Sequence, residues 1–185
     1  MSKLRFSTAQ EVFETFPAAR EVIQTAPTTE PPLTFLRGLA KAGDHKDAIG
    51  FCAFIMPRRE AVWWALQSVQ RMQPPGTPPD PGLKAAESWV RDPTDESRRA
   101  ALALGESGLP SSLGTWVALA AGYSGGSMVS THAVPCPPDL TAKTARIAVL
   151  TALGRVPERD RDAALRNCVE ACIRLVDDDS GRTKA

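Results

Sequence analysis

The sequence predicts an all-α protein built of about eight to ten short helices stacked as antiparallel hairpins. Three observations carry that reading. Apolar residues recur at helical spacing through most of the chain. Proline stands where the periodic segments begin, and glycine where several of them end. The breaks between segments are proline- and glycine-rich stretches that neither helix nor strand accommodates. At 185 residues the chain fits one domain, and a chain of this length buries roughly 70% of the surface its unfolded form exposes. One helical domain over 1–176 is therefore expected, followed by a polar, flexible tail over 177–185.

Taken in order, Thr8 and Glu11 have the spacing of a capping box, ahead of an apolar side made of Val12, Phe13 and Phe16. Pro17 closes this helix, and a second short one runs to about Gln24. The segment 26–32 is a proline loop. Leu33, Leu36, Leu39 and Ala40 mark one helix face that Gly43 ends. Asp44 is placed to cap the next segment, Lys46 to Ile55, which is apolar on nearly every side and so belongs at the centre of a domain. A buried strand over Ile49–Met56 is the alternative, because periodicity does not separate the two in a short run; the upstream cap favours helix.

Pro57 pre-sets a helix over Arg58–Met72 with Val62, Ala65, Leu66 and Val69 on one face. The loop 73–82 contains five prolines. Leu83–Val90 is helical, Asp92-Pro93 restarts a helix ending at Gly105, and Ser111 or Ser112 caps another through Ala121. Residues 122–138 are irregular. Helix resumes over Thr141–Leu153, and the last one, Pro157–Val176, shows the stripe Leu165, Cys168, Val169, Cys172, Leu175 and Val176. Within this series, Trp89-Val-Arg-Asp-Pro-Thr-Asp-Glu-Ser-Arg-Arg-Ala-Ala-Leu-Ala-Leu-Gly105 is similar to the inner part of a HEAT repeat. One such unit implies a HEAT-like stack or an irregular bundle, whereas a solenoid shows several at a fixed period.

Charge and composition narrow the function classes. The formal net charge is +1 and charged residues make up 23%, with no basic stripe of the kind nucleic acid requires. No apolar run approaches the ~20 residues of a membrane span, and no signal-peptide pattern opens the chain. A cytoplasmic location follows, with the four cysteines as free thiols and no cofactor.

Gly122-Tyr123-Ser124-Gly125-Gly126 matches G-x-S-x-G, but a nucleophile elbow needs a strand before the serine and a helix after it, and the preceding segment reads as helix. His132, Cys136, Cys168 and Cys172 have the donor types of a zinc site. The two on the last helix instead lie on its apolar stripe, where a thiol acts as a small hydrophobe. No catalytic residue is therefore assigned, and no enzyme activity is expected. Arg58 and Arg59 break a local rule, since they occupy the first turn of a helix, where the macrodipole disfavours cations. They suit an anion corner, or an ion pair with Glu60, Glu87 or a nearby Asp. Trp63 and Trp64 point about 100° apart on a helix, so either one of them faces outward or both are buried on a broad face between two neighbouring helices; Trp64 is assigned to the contact surface.

Arg58-Arg-Glu-Ala-Val-Trp-Trp64, Ser88-Trp-Val-Arg-Asp-Pro93, Ala120-Ala-Gly-Tyr-Ser-Gly-Gly-Ser-Met128 and Leu140-Thr-Ala-Lys143 together resemble an uncharacterised proteobacterial family of unknown function. The resemblance spans roughly 4–175. Some members are encoded beside type VI secretion genes, which implies a bacterial, secretion-linked setting and transfers no catalytic residue. The resulting expectation is an adaptor or chaperone-like module that binds a protein partner, a secretion component or effector. Its contact residues would be Arg58, Arg59, Trp64, Tyr123, Ser124, Gly125 and Gly126. The second expectation is a helical domain that binds an anion or small molecule without catalysis.

Overall fold

In a computed structural model, residues 4–177 are described, and the expected tail beyond Asp177 lies outside them. Among the described residues there are nine α-helices and no extended strand: α1 (Ala9–Thr15), α2 (Pro32–Ala42), α3 (His45–Ile55), α4 (Arg58–Met72), α5 (Pro81–Arg91), α6 (Asp95–Ser107), α7 (Leu113–Gly122), α8 (Leu140–Arg155) and α9 (Glu158–Val176), with a 3₁₀ helix over Pro17–Glu21.

The helix boundaries follow local chemistry. Thr8 caps α1 by accepting from Glu11 N at 3.2 Å, while the Glu11 carboxylate reaches back to Ser7 N at 2.7 Å, one residue earlier than a capping box requires. Gly43 ends α2 in the left-handed region, φ 82°, where its N–H and that of Asp44 meet the last carbonyls of the helix. Asp44 stands at the N-cap position of α3 but its side chain makes no capping bond. Residues 45–55 are helix, so the strand alternative for Ile49–Met56 falls away. The helix after Asp92-Pro93 begins at Asp95, capped by Thr94 accepting from Ser97 N at 3.2 Å. It runs through Gly105 instead of stopping there, because the missing side chain lets α6 approach Leu119 of α7.

Two helices organise the packing. The apolar α7 touches α4, α5, α6 and α8, while α8 touches α3, α4, α7 and α9. The contacts of α8 with α3 and α4 join segments far apart in sequence, which a solenoid of neighbour-only repeats does not do. The architecture is thus an all-α, irregular helical bundle. Its continuous core is centred on Trp64, Phe13, Phe51, Phe54, Leu36 and Ile49. On the α2 face the buried residues include Phe35 besides Leu36 and Leu39, and Leu33 is only half-buried. No helix among the described residues is long and apolar enough to cross a membrane.

Candidate binding face

The start of α4 explains its two arginines. Both side chains are exposed, and each donates to a backbone carbonyl of another segment. Arg58 Nη1 bonds Ser124 O at 2.8 Å. Arg59 Nε bonds Val90 O at 2.7 Å, and its Nη2 lies 3.4 Å from Arg91 O. Val90 and Arg91 end α5, so Arg59 supplies a cation and donors to the negative end of one helix while sitting at the positive end of another. The expected alternatives, an anion corner or a carboxylate partner, omitted this arrangement.

The glycine loop after α7 is held chiefly by a residue that the sequence reading did not single out. Arg98 is buried, at 6% exposure. Its Nη1 donates to Gly122 O at 2.9 Å and Ser127 O at 3.3 Å, and its Nε and Nη2 hold Asp95 Oδ1 at 2.9 and 2.7 Å. Arg98 lies in register with Ala101, Leu102 and Gly105, the buried side of α6. A cation in phase with an apolar stripe is the sequence signal that was available. Gly126 takes φ 59°, and a Cβ there would lie 2.8 Å from Arg98 Nη2, so a larger residue strains the backbone and displaces that guanidinium.

The rest of the loop closes on itself. Met128 N donates to Val134 O at 2.8 Å and Cys136 N to Gly126 O at 3.0 Å, around an antiparallel bridge between Ser127 and Pro135. Tyr123 O accepts from both Cys136 Sγ and Thr141 Oγ1 at 3.0 Å. Burial raises the Cys136 thiol pKa above its ordinary value, against the opposing pull of Arg58 and Arg98. Burial, then the nearby Glu106 carboxylate, raises that of Tyr123. Tyr123, Ser124 and Gly125 are half-buried and Gly126 exposed. Ser124 follows a helix, and its N–H turns back to Ala121 O, so the strand–turn–helix geometry of a nucleophile elbow is missing.

The tryptophan assignment is corrected. Trp64 is fully buried, and its Nε1 donates to Cys168 O at 2.8 Å, joining α4 to α9. It cannot take part in a surface contact. Trp63 is the half-exposed member of the pair. It shares its side of α4 with Arg59 and Glu60, four and three residues back, a polar register that marks it as outward-facing. With Val90, Arg91 and Leu175 these residues line a groove of about 340 Å³ between α4, the end of α5 and the end of α9.

The four zinc-type donors do not converge. Cys168 and Cys172 are buried on α9, whereas His132 is exposed and Cys136 half-buried in the loop after α7. Among the described residues no group of three or more His, Cys, Asp or Glu is arranged to hold a metal ion. Cys172 approaches Cys52 of α3 instead, its Sγ lying 3.9 Å from Cys52 O.

An all-α bundle with a tryptophan-lined groove edged by Arg59, Arg91 and Glu60 is the class of protein these features define. The chain belongs to the family of unknown function DUF6931, whose model matches residues 35–176. No curated protein and no solved structure matches it.

Proposed function

We propose that the protein is a non-catalytic adaptor or chaperone-like module that binds an acidic segment of a protein partner in the Arg59–Trp63–Arg91 groove. The carrying observation is the composition of that groove. A half-exposed tryptophan and Leu175 offer apolar area, and two arginines stand beside them with one carboxylate, Glu60, so cations outnumber anions in the lining. Tryptophan and arginine are the residue types that dominate binding hot spots, where an apolar anchor is ringed by charge-assisted contacts. Arg59 is held by its bonds to α5, so little of its side-chain freedom is lost on binding, while Arg91 pairs with Glu87 at 2.6 Å on the exposed face of α5.

The non-catalytic part of the reading is supported by the roles of the polar groups near the glycine loop. Arg58, Arg98, Ser127 and Thr141 all satisfy backbone groups there. The resemblance to proteins encoded beside type VI secretion genes favours a bacterial setting, and a secretion component or effector as the partner.

Arg91→Glu tests the proposal with little disturbance of the fold, since an exposed i,i+4 pair contributes only about 0.2–0.5 kcal/mol. Retention of the co-purifying partner on immobilised protein should fall roughly tenfold, the equivalent of ~1.4 kcal/mol. Undiminished retention would remove the groove as the contact site.

A further inference from the structure

A second cavity lies on the other side of the α4 start. It has about 320 Å³ of space and is enclosed by the end of α1, the end of α3, the start of α4 and the start of α8. Two guanidinium groups line it, those of Arg5 and Arg58. Its apolar wall includes Phe16, Phe54, Met56 and Ala142, each no more than 9% exposed.

We propose that this cavity binds a small amphiphile with an oxyanion head, a carboxylate or phosphate monoester on a short apolar body. The head lies between Arg5 and Arg58, and the body lies against Phe16, Phe54 and Met56. This goes beyond the partner groove and uses none of its residues, so either assignment can fail alone.

Three observations carry the assignment. The first is the state of the two cations. Arg58 gives one N–H to Ser124 O at 2.8 Å, and Arg5 stands over the ring of Phe6 at 5.5 Å. Among the described residues neither has a carboxylate partner, and a guanidinium carries five N–H donors. Both cations therefore keep N–H donors to offer an anion that enters the cavity.

The second is preorganisation. The Ser124 carbonyl orients Arg58. Arg5 rests on Phe6, which packs edge-on against Phe16 of the cavity wall with ring centroids 6.2 Å apart. Donors fixed before the ligand arrives lose less entropy on binding. The α4 N-terminus adds to this, since Pro57 supplies no side-chain capping bond and the first-turn amides carry the positive end of the helix dipole.

The third is size and polarity. The volume is near the lower end of small-molecule sites, roughly 300–1,000 Å³. The apolar wall gives a bare inorganic anion nothing to cover, whereas an alkyl or aryl body would remove it from water.

Calorimetric titration of the intact protein with octanoate, octyl phosphate, octanol and inorganic phosphate tests the proposal. Saturable binding of octanoate or octyl phosphate is expected, with octanol and inorganic phosphate each weaker by about tenfold or more. Arg5→Gln should weaken that binding about tenfold while leaving the melting temperature unchanged. Arg58→Gln should weaken it as well. The assignment is overturned if neither amphiphilic anion binds saturably, if octanol binds as well as octanoate, or if Arg5→Gln binds like the parent protein.

Discussion

The guanidinium of Arg98 joins α6 to the end of α7 and to the loop beyond it, through Asp95, Gly122 and Ser127. Truncating it would strand the buried Gly122 carbonyl and one carboxylate contact together. Arg98→Ala should therefore lower unfolding free energy by about 2–4 kcal/mol, measured by chemical denaturation. Arg98→Lys should recover only part of this, because a point charge cannot reproduce the fork that spans both carbonyls and the carboxylate. At this scale the sequence is legible in part. The register of Arg98 with Ala101 and Leu102 was readable, and so was that of Trp63 with Arg59 and Glu60. The partners of Arg58 and Arg59 were not, since Ser124 and Val90 reach them only through the tertiary fold. The exchange of roles between Trp63 and Trp64 has the same origin. Helix α4 is covered on a broad arc by α7, α8 and α9, which reaches Trp64 beyond the stripe of Val62, Ala65 and Leu66.

Helix α5 shows how one side chain can begin an element and tie it to the start of another. Asp80 Oδ1 accepts from Gly82 N at 2.8 Å and Leu83 N at 3.3 Å, and its Oδ2 accepts from Ser112 Oγ at 2.8 Å, at the N-cap of α7. Asp80→Ala should cost about 1–2 kcal/mol, at the upper end for a lost cap because Ser112 loses its acceptor too; thermal or denaturant unfolding reads the loss. A loss below a few tenths of a kcal/mol would mean that the Asp80 cap and its bond to Ser112 add nothing. The close approach of the elements depends on absent side chains. A Cβ at Gly122 would stand 2.7 Å from the Leu102 backbone, so α6 and α7 pack nearly backbone to backbone. The sequence marked most element positions, because proline starts and apolar stripes are local signals. It placed the start of α5 two residues late, since the capping role of Asp80 is masked by the prolines around it. Gly105 read as a stop and is a contact, a distinction that depends on α7 being there.

For the whole molecule, three buried thiols lie along the seams of α9, Cys172 beside Cys52 of α3 and Cys168 beside Ser68 and Met72 of α4. Burial, then the hydrogen bond with Cys172, holds Cys52 well above the ordinary thiol pKa of 9.0, and burial raises Cys168 as well. A group whose folded pKa is raised contributes stability that is fully present below its unfolded value and lost as pH rises through the folded one. Unfolding free energy should accordingly decline above about pH 9, and Cys52→Ala/Cys168→Ala should flatten that decline. A stability profile level through the alkaline range would contradict the assignment. The all-α class was legible from stripes and caps. The closing of α8 onto α3 and α4, which makes the molecule a bundle and not a repeat stack, is a long-range fact without a local signal. The central claim is that partner binding resides in the Trp63 groove and not in the glycine loop. Quantitative affinity purification of Trp63→Ala beside Gly125→Arg tests it most directly, because a side chain at Gly125 would enter open space. The partner should be lost with Trp63→Ala and retained with Gly125→Arg, both variants melting as folded proteins; loss with Gly125→Arg and retention with Trp63→Ala would contradict the account.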